Sequence, residues 1–158
     1  MNKQNVVKFV RIAAIAGAVS LYSSAGFAAG FFSSSSDDTP TDLPAVVKMI
    51  DAGKYSDAID SLKKMNKADP KNADVLNYLA YSQRKSGDMK SAEANYEKAL
   101  EINPDHRGAL EYQGELYIHT GRVDMAKQNL ARLKDVCGTD CEQYKDLNDA
   151  LNGKKSNW

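Results

Sequence analysis

The stretch Ala73–His106, ADVLNYLAYSQRKSGDMKSAEANYEKALEINPDH, decides how the chain is read. Leu76, Leu79, Ala80 and Gln83 fall at i, i+3, i+4 and i+7, the spacing of one face of a helix. Gly87 ends that helix, because a glycine just past the last turn takes the left-handed conformation without steric penalty. A second helix then sets Ala92, Tyr96, Ala99 and Leu100 on a common face, and Ala92 is small so that the two helices can approach closely. Pro104 closes the unit, since proline cannot continue a helix.

Moving 34 residues in either direction finds the same unit again. Leu76, Leu79, Ala80, Gly87, Ala92, Tyr96, Ala99 and Pro104 align with Leu110, Gln113, Gly114, Gly121, Ala126, Leu130, Leu133 and Gly138 downstream. Upstream they align with Asp42, Ala45, Val46, Gly53, Ala58, Leu62, Met65 and Pro70. The small residues keep register: Ala58, Ala92 and Ala126, and likewise Gly53, Gly87 and Gly121. Three helical hairpins built on one pattern follow. The expected units are 39–72, 73–106 and 107–140. After Cys141, the residues Tyr144, Leu147 and Leu151 form an apolar stripe on a polar segment, which predicts a seventh helix over 141–152 that caps the last unit. A polar tail, 153–158, ends in Trp158.

The pattern resembles the tetratricopeptide repeat, whose first helix carries a large residue, Leu-Gly and Tyr, and whose later part carries Ala, Phe and Pro. The resemblance covers about Thr39 to Asp140. It implies an all-α solenoid of three helix-turn-helix repeats, with a concave face lined by the first helix of each repeat that holds proteins or peptides. Asp42 at a large position, Gln83 and Gln113 at apolar ones and Gly138 in place of proline depart from the pattern. The segment Cys137-Gly138-Thr139-Asp140-Cys141-Glu142-Gln143-Tyr144 also resembles a recurring ending of exported bacterial tetratricopeptide proteins.

Residues 1–28 have the build of a secretory signal peptide. Lys3, Lys8 and Arg11 precede a short apolar run from Ile12 to Leu21, and Gly26-Phe27-Ala28 supplies small residues for cleavage after Ala28. Ser20, Tyr22, Ser23 and Ser24 interrupt that run before the roughly 20 apolar residues a membrane span needs. The expected destination is the periplasm or the exterior, without stable membrane insertion. Residues 29–41, with Ser33–Ser36, Asp37 and Asp38, read as a flexible polar leader.

The whole chain has 158 residues, with 21 Lys plus Arg against 21 Asp plus Glu. That balance gives no support for nucleic-acid binding, which calls for a basic excess. There is no glycine-rich phosphate loop, no nucleophile elbow and no histidine pair at metal spacing, so a non-catalytic protein without cofactor or metal is expected. Glu111 and Glu115, four apart, read as a solvated acidic edge, and Arg84-Lys85 as an ordinary charged face. In an exported chain, Cys137 and Cys141 read as one disulfide fixing the cap helix. A redox-active pair and half of a metal site are the alternatives, and they underlie a second reading of the protein as a thiol-dependent redox or metal-handling accessory.

What the resemblance implies for the groove is a set of partner-binding residues: Asn77, Tyr78, Tyr81 and Arg84 on one first helix, and Glu111, Tyr112 and Glu115 on the next. Val47 and Ile50 are their counterparts in the first repeat. One subtype of the family clamps a C-terminal carboxylate with Lys, Arg and Asn. The corresponding positions here look like Leu43, Val47, Tyr78, Gly108 and Tyr112, so that clamp is absent. The expected function is an adaptor or scaffold of the bacterial cell envelope that holds a protein or peptide. Self-association through Val46, Val47 and Ile50 of the first repeat is a weaker expectation.

Overall fold

The computed structural model describes residues 42–154; the signal peptide, the leader and Trp158 expected from sequence lie outside them. Seven helices and no strand occur among the described residues: α1 Leu43–Asp51, α2 Tyr55–Ala68, α3 Ala73–Lys85, α4 Met89–Ile102, α5 Arg107–His119, α6 Val123–Cys137 and α7 Glu142–Leu151. The all-α architecture anticipated from the 34-residue period is therefore the one observed. None of these helices is long and apolar enough to cross a membrane.

Local chemistry sets the ends. Asp42 accepts the Ala45 N–H at 2.8 Å, Asn72 that of Val75 at 3.1 Å, and Asp88 that of Ser91 at 3.1 Å. Each satisfies an N–H that the helix itself leaves without a partner. Asp42, which breaks the repeat pattern, is thus a capping residue rather than a packing one. Between the helices of each hairpin stand Gly53, Gly87 and Gly121, with φ of 73°, 89° and 77°. A side chain on these residues would be strained, which is why the glycine recurs at the period.

Packing runs through three apolar clusters. Val46, Ile50, Ala58, Leu62, Val75 and Leu79 join α1, α2 and α3. Leu76, Ala80, Ala92, Tyr96, Ala99, Ala109, Leu116 and Ala126 join α3 to α6. Leu110, Leu133 and Leu147 seat α7 on α5 and α6, with Tyr144 and Leu151 beside them. Ala58, Ala92 and Ala126 are fully buried, as close helix approach demands. The two glutamines at apolar positions are also buried. Gln83 accepts from the Asn95 amide at 2.7 Å, and Gln113 from the Asn129 amide at 3.0 Å. Each bridges the two helices of one hairpin.

One expectation fails here. Val46 and Ile50 are buried against α2 and α3, so of the three residues named for self-association only Val47 keeps some exposure, and Ile50 does not face the groove.

Candidate partner-binding face

Four of the seven residues expected to touch a partner, Tyr81, Arg84, Tyr112 and Glu115, converge on the contact between α3 and α5, and a buried ion pair organises them. Arg84 Nη1 lies 2.8 Å from Glu115 Oε2. The Arg84 guanidinium carbon stands 5.3 Å from the centre of the Tyr81 ring and 5.6 Å from that of Tyr112. The two rings are themselves 4.8 Å apart and tilted by 55°. Beneath them Tyr96 is fully enclosed, and burial raises its phenol far above the ordinary tyrosine range. This arrangement stacks a guanidinium against aromatic faces while its charge is neutralised by a carboxylate.

Burial changes what these side chains can do. Arg84 is 2 % exposed, Glu115 1 %, Glu111 3 % and Asn77 4 %. Glu111 and Glu115 are therefore not a solvated edge, and Arg84 is not an ordinary charged face. Arg84 and Glu115 hold the α3–α5 joint together and present almost no surface to a partner. The reason is local: Arg84 lies among Tyr81, Tyr96, Tyr112 and Glu115, while α7 packs on the neighbouring face of α5. The two helices come close at Gly114, where a Cβ atom would stand 2.6 Å from Leu147 Cδ2. With any Cβ there, the Leu147 side chain would have to shift.

Glu111 differs from Arg84 and Glu115. It makes no hydrogen bond or ion pair among the described residues. Burial, followed by the charges of Glu115, Asp146 and Glu142, pushes its carboxyl up to about 8. Tyr112 is raised as well, by burial first and Glu111 second.

A polar cleft of about 350 Å³ opens where the first turns of α3 and α5 meet α7. Asp74, Asn77 and Tyr78 line it from α3, Arg107, Gly108, Glu111 and Tyr112 from α5, and Gln143 from α7. Of the expected site residues, Asn77, Tyr78, Glu111 and Tyr112 border this opening; Tyr81, Arg84 and Glu115 do not. Gly108 makes room for Asn77, whose Nδ2 lies 3.3 Å from where a Cβ atom would be. Asn77 Oδ1 is left without a hydrogen-bond partner.

Sequence reasoning missed Asp74 and His106. His106 Nδ1 accepts the Ala109 N–H at 3.1 Å and so caps α5, which leaves Nε2 to donate to Asp74 Oδ1 at 2.9 Å. The signal was present in the period: residues opening successive first helices stand almost one repeat apart, and stacked repeats bring such pairs together. His119, at the far end of α5, is exposed. Cys137 and Cys141 place their sulfurs 2.10 Å apart between α6 and α7. No cluster of three or more His, Cys, Asp or Glu suited to a metal ion occurs among the described residues.

Comparison with known proteins agrees with this geometry. Residues 73–106 match the tetratricopeptide repeat. The described chain has a tetratricopeptide-repeat fold. The first tetratricopeptide domain of Spaghetti (RPAP3), bound to an HSP90 peptide, is 22% identical, with a TM-score of 0.62 over 72% of this chain and 90% of that one. The Yersinia enterocolitica type III secretion chaperone SycD, in complex with a peptide of the translocator YopD, is 14% identical, with a TM-score of 0.60 over 70% of this chain and 84% of that one. MamA shares 23% identity and a TM-score of 0.60, over 73% of this chain and 70% of its own. At these identities the likeness concerns the tetratricopeptide fold alone. No curated protein sequence matches the chain.

Proposed function

We propose that the protein is a non-catalytic interaction module of the bacterial cell envelope that holds a protein or peptide on the face formed by α3, α5 and α7. The observation that carries this reading is the open polar cleft between the first turns of α3 and α5, flanked by the half-buried rings of Tyr78 and Tyr112. Tyrosines supply amphipathic contact area with few rotors to order, and recognition surfaces use them for that reason. The peptides held by the RPAP3 and SycD relatives support the same mode of use.

The test is recovery of partners from envelope extracts. Wild-type protein, Tyr78→Ala and, on the outer side of α4, Lys98→Ala serve as baits. At least one protein is expected to be lost by Tyr78→Ala and kept by Lys98→Ala, with both variants folded. Equal recovery on all three baits would contradict the reading.

Export rests on the signal-like N-terminus, with cleavage after Ala28. In that oxidising setting Cys137 and Cys141 form a structural disulfide tying the end of α6 to the start of α7. So short a loop stabilises by roughly 2 kcal/mol in the chain-entropy model. Titration of the unfolded protein without reductant should find no free thiol; two would refute the bond.

A further inference from the structure

We propose that the cleft between α3 and α5 is a pocket for the ammonium group of a lysine side chain in a bound peptide, with Glu111 as its counter-ion; this rests on reading that face as the partner-binding one. Glu111 lines the opening, is almost wholly enclosed and has no hydrogen-bond or ion-pair partner among the described residues. Unlike Asn77 Oδ1, its carboxyl oxygens still reach solvent through the opening, so a cation entering the cleft can meet them directly. Asn77, whose Oδ1 is also without a partner, borders the same opening.

The charges around Glu111 favour a cation. From α3 come Asp74 and, behind the pocket, Arg84, which is committed to Glu115. From α5 come Glu115 and the rim residue Arg107, and from α7 Glu142 and Asp146. In the loop before α5, Asp105 binds Arg132 and His106 binds Asp74. The helix starts that would otherwise attract an anion are occupied, since Asn72 takes the Val75 N–H and His106 that of Ala109. Lysine suits a recessed acceptor because its compact ammonium sits at the end of a thin four-carbon stem. Tyr78 and Tyr112 supply faces for that stem and for a cation–π contact.

Occupation must ionise Glu111, whose carboxyl burial holds near 8 in the free protein, so binding releases a proton. Titration of 15N-labelled protein with the blocked pentapeptide Ser-Ser-Lys-Ser-Ser tests this, with glutamate or norleucine replacing lysine as controls. The lysine peptide is expected to move the Asn77, Gly108 and Glu111 resonances, and the controls to leave them. Affinity should rise by up to tenfold per pH unit between pH 6 and 8 and flatten above. Glu111→Gln should weaken binding about tenfold or more with the spectrum still dispersed, and Asp74→Asn, on the exposed rim, a few-fold. Absence of a lysine-dependent shift, equal binding of the glutamate peptide, or unchanged affinity in folded Glu111→Gln would overturn the pocket. If the peptide fails while Tyr78→Ala still loses its partner from extracts, the lysine pocket is wrong and the interaction module stands. If both fail, both readings fall.

Discussion

Glu111 shows how a single residue can carry a signature of the whole face. Its carboxyl ordinarily titrates near 4.5 and is raised to about 8 in the fold. Between those values the native state binds more protons than the unfolded chain, so stability from this group falls as pH rises from 4.5 to 8 and is level beyond. The full span corresponds to at most about 5 kcal/mol. Glu111→Gln removes the titration. It should therefore melt above wild type at pH 8.5 and close to it at pH 5; an equal difference at both values would count against the raised carboxyl. Arg84 and Glu115 behave otherwise, because each neutralises the other. Arg84→Ala or Glu115→Ala leaves a buried charge uncompensated and should destabilise by about 3–5 kcal/mol in chemical unfolding. Replacing both, Arg84→Met with Glu115→Leu, should recover most of that loss.

At the scale of elements, the α5–α7 contact decides where the groove ends. Gly114→Ala drives a Cβ atom into the Leu147 side chain, which is fully buried. The expected loss is about 1–3 kcal/mol. Combining it with Leu147→Ala should cost less than the sum of the two single changes, whereas strict additivity would separate the residues. These same elements show what the sequence could and could not disclose. The turn glycines Gly53, Gly87 and Gly121 and the enclosed alanines Ala58, Ala92 and Ala126 are local requirements of each hairpin, so they repeat visibly at the period. The fate of Arg84 and Glu115 depends on how α3 meets α5, and that of Glu111 also on the nearby charges of α7. Nothing in a run of residues around α5 states what packs against it, and charged side chains on a polar-looking face read as solvated. Gln83 and Gln113 were legible only as departures. Their amide partners, Asn95 and Asn129, sit on the second helix of each hairpin, and the pairing exists only in three dimensions.

For the whole molecule, the neutral balance of 21 basic and 21 acidic side chains is an average over unlike parts. The proposed cleavage after Ala28 would remove Lys3, Lys8 and Arg11, leaving 18 basic against 21 acidic and a net of −3. The acidic excess has a local counterpart in Asp74, Glu111, Glu142 and Asp146 around one cleft, a distribution suited to a basic partner. The repeats supply a rigid frame, and the cap helix converts an open groove into a bounded pocket at one end. The most direct measurement is site-specific photo-crosslinking of the protein in intact envelopes. A photoreactive residue is placed in turn at Tyr78 and Gln143, on the cleft, and at Lys98 and Lys127, on the outer sides of α4 and α6. One common adduct from Tyr78 and Gln143, absent from Lys98 and Lys127, is the predicted result. Adducts arising from Lys98 and Lys127 but not from Tyr78 and Gln143 would contradict it.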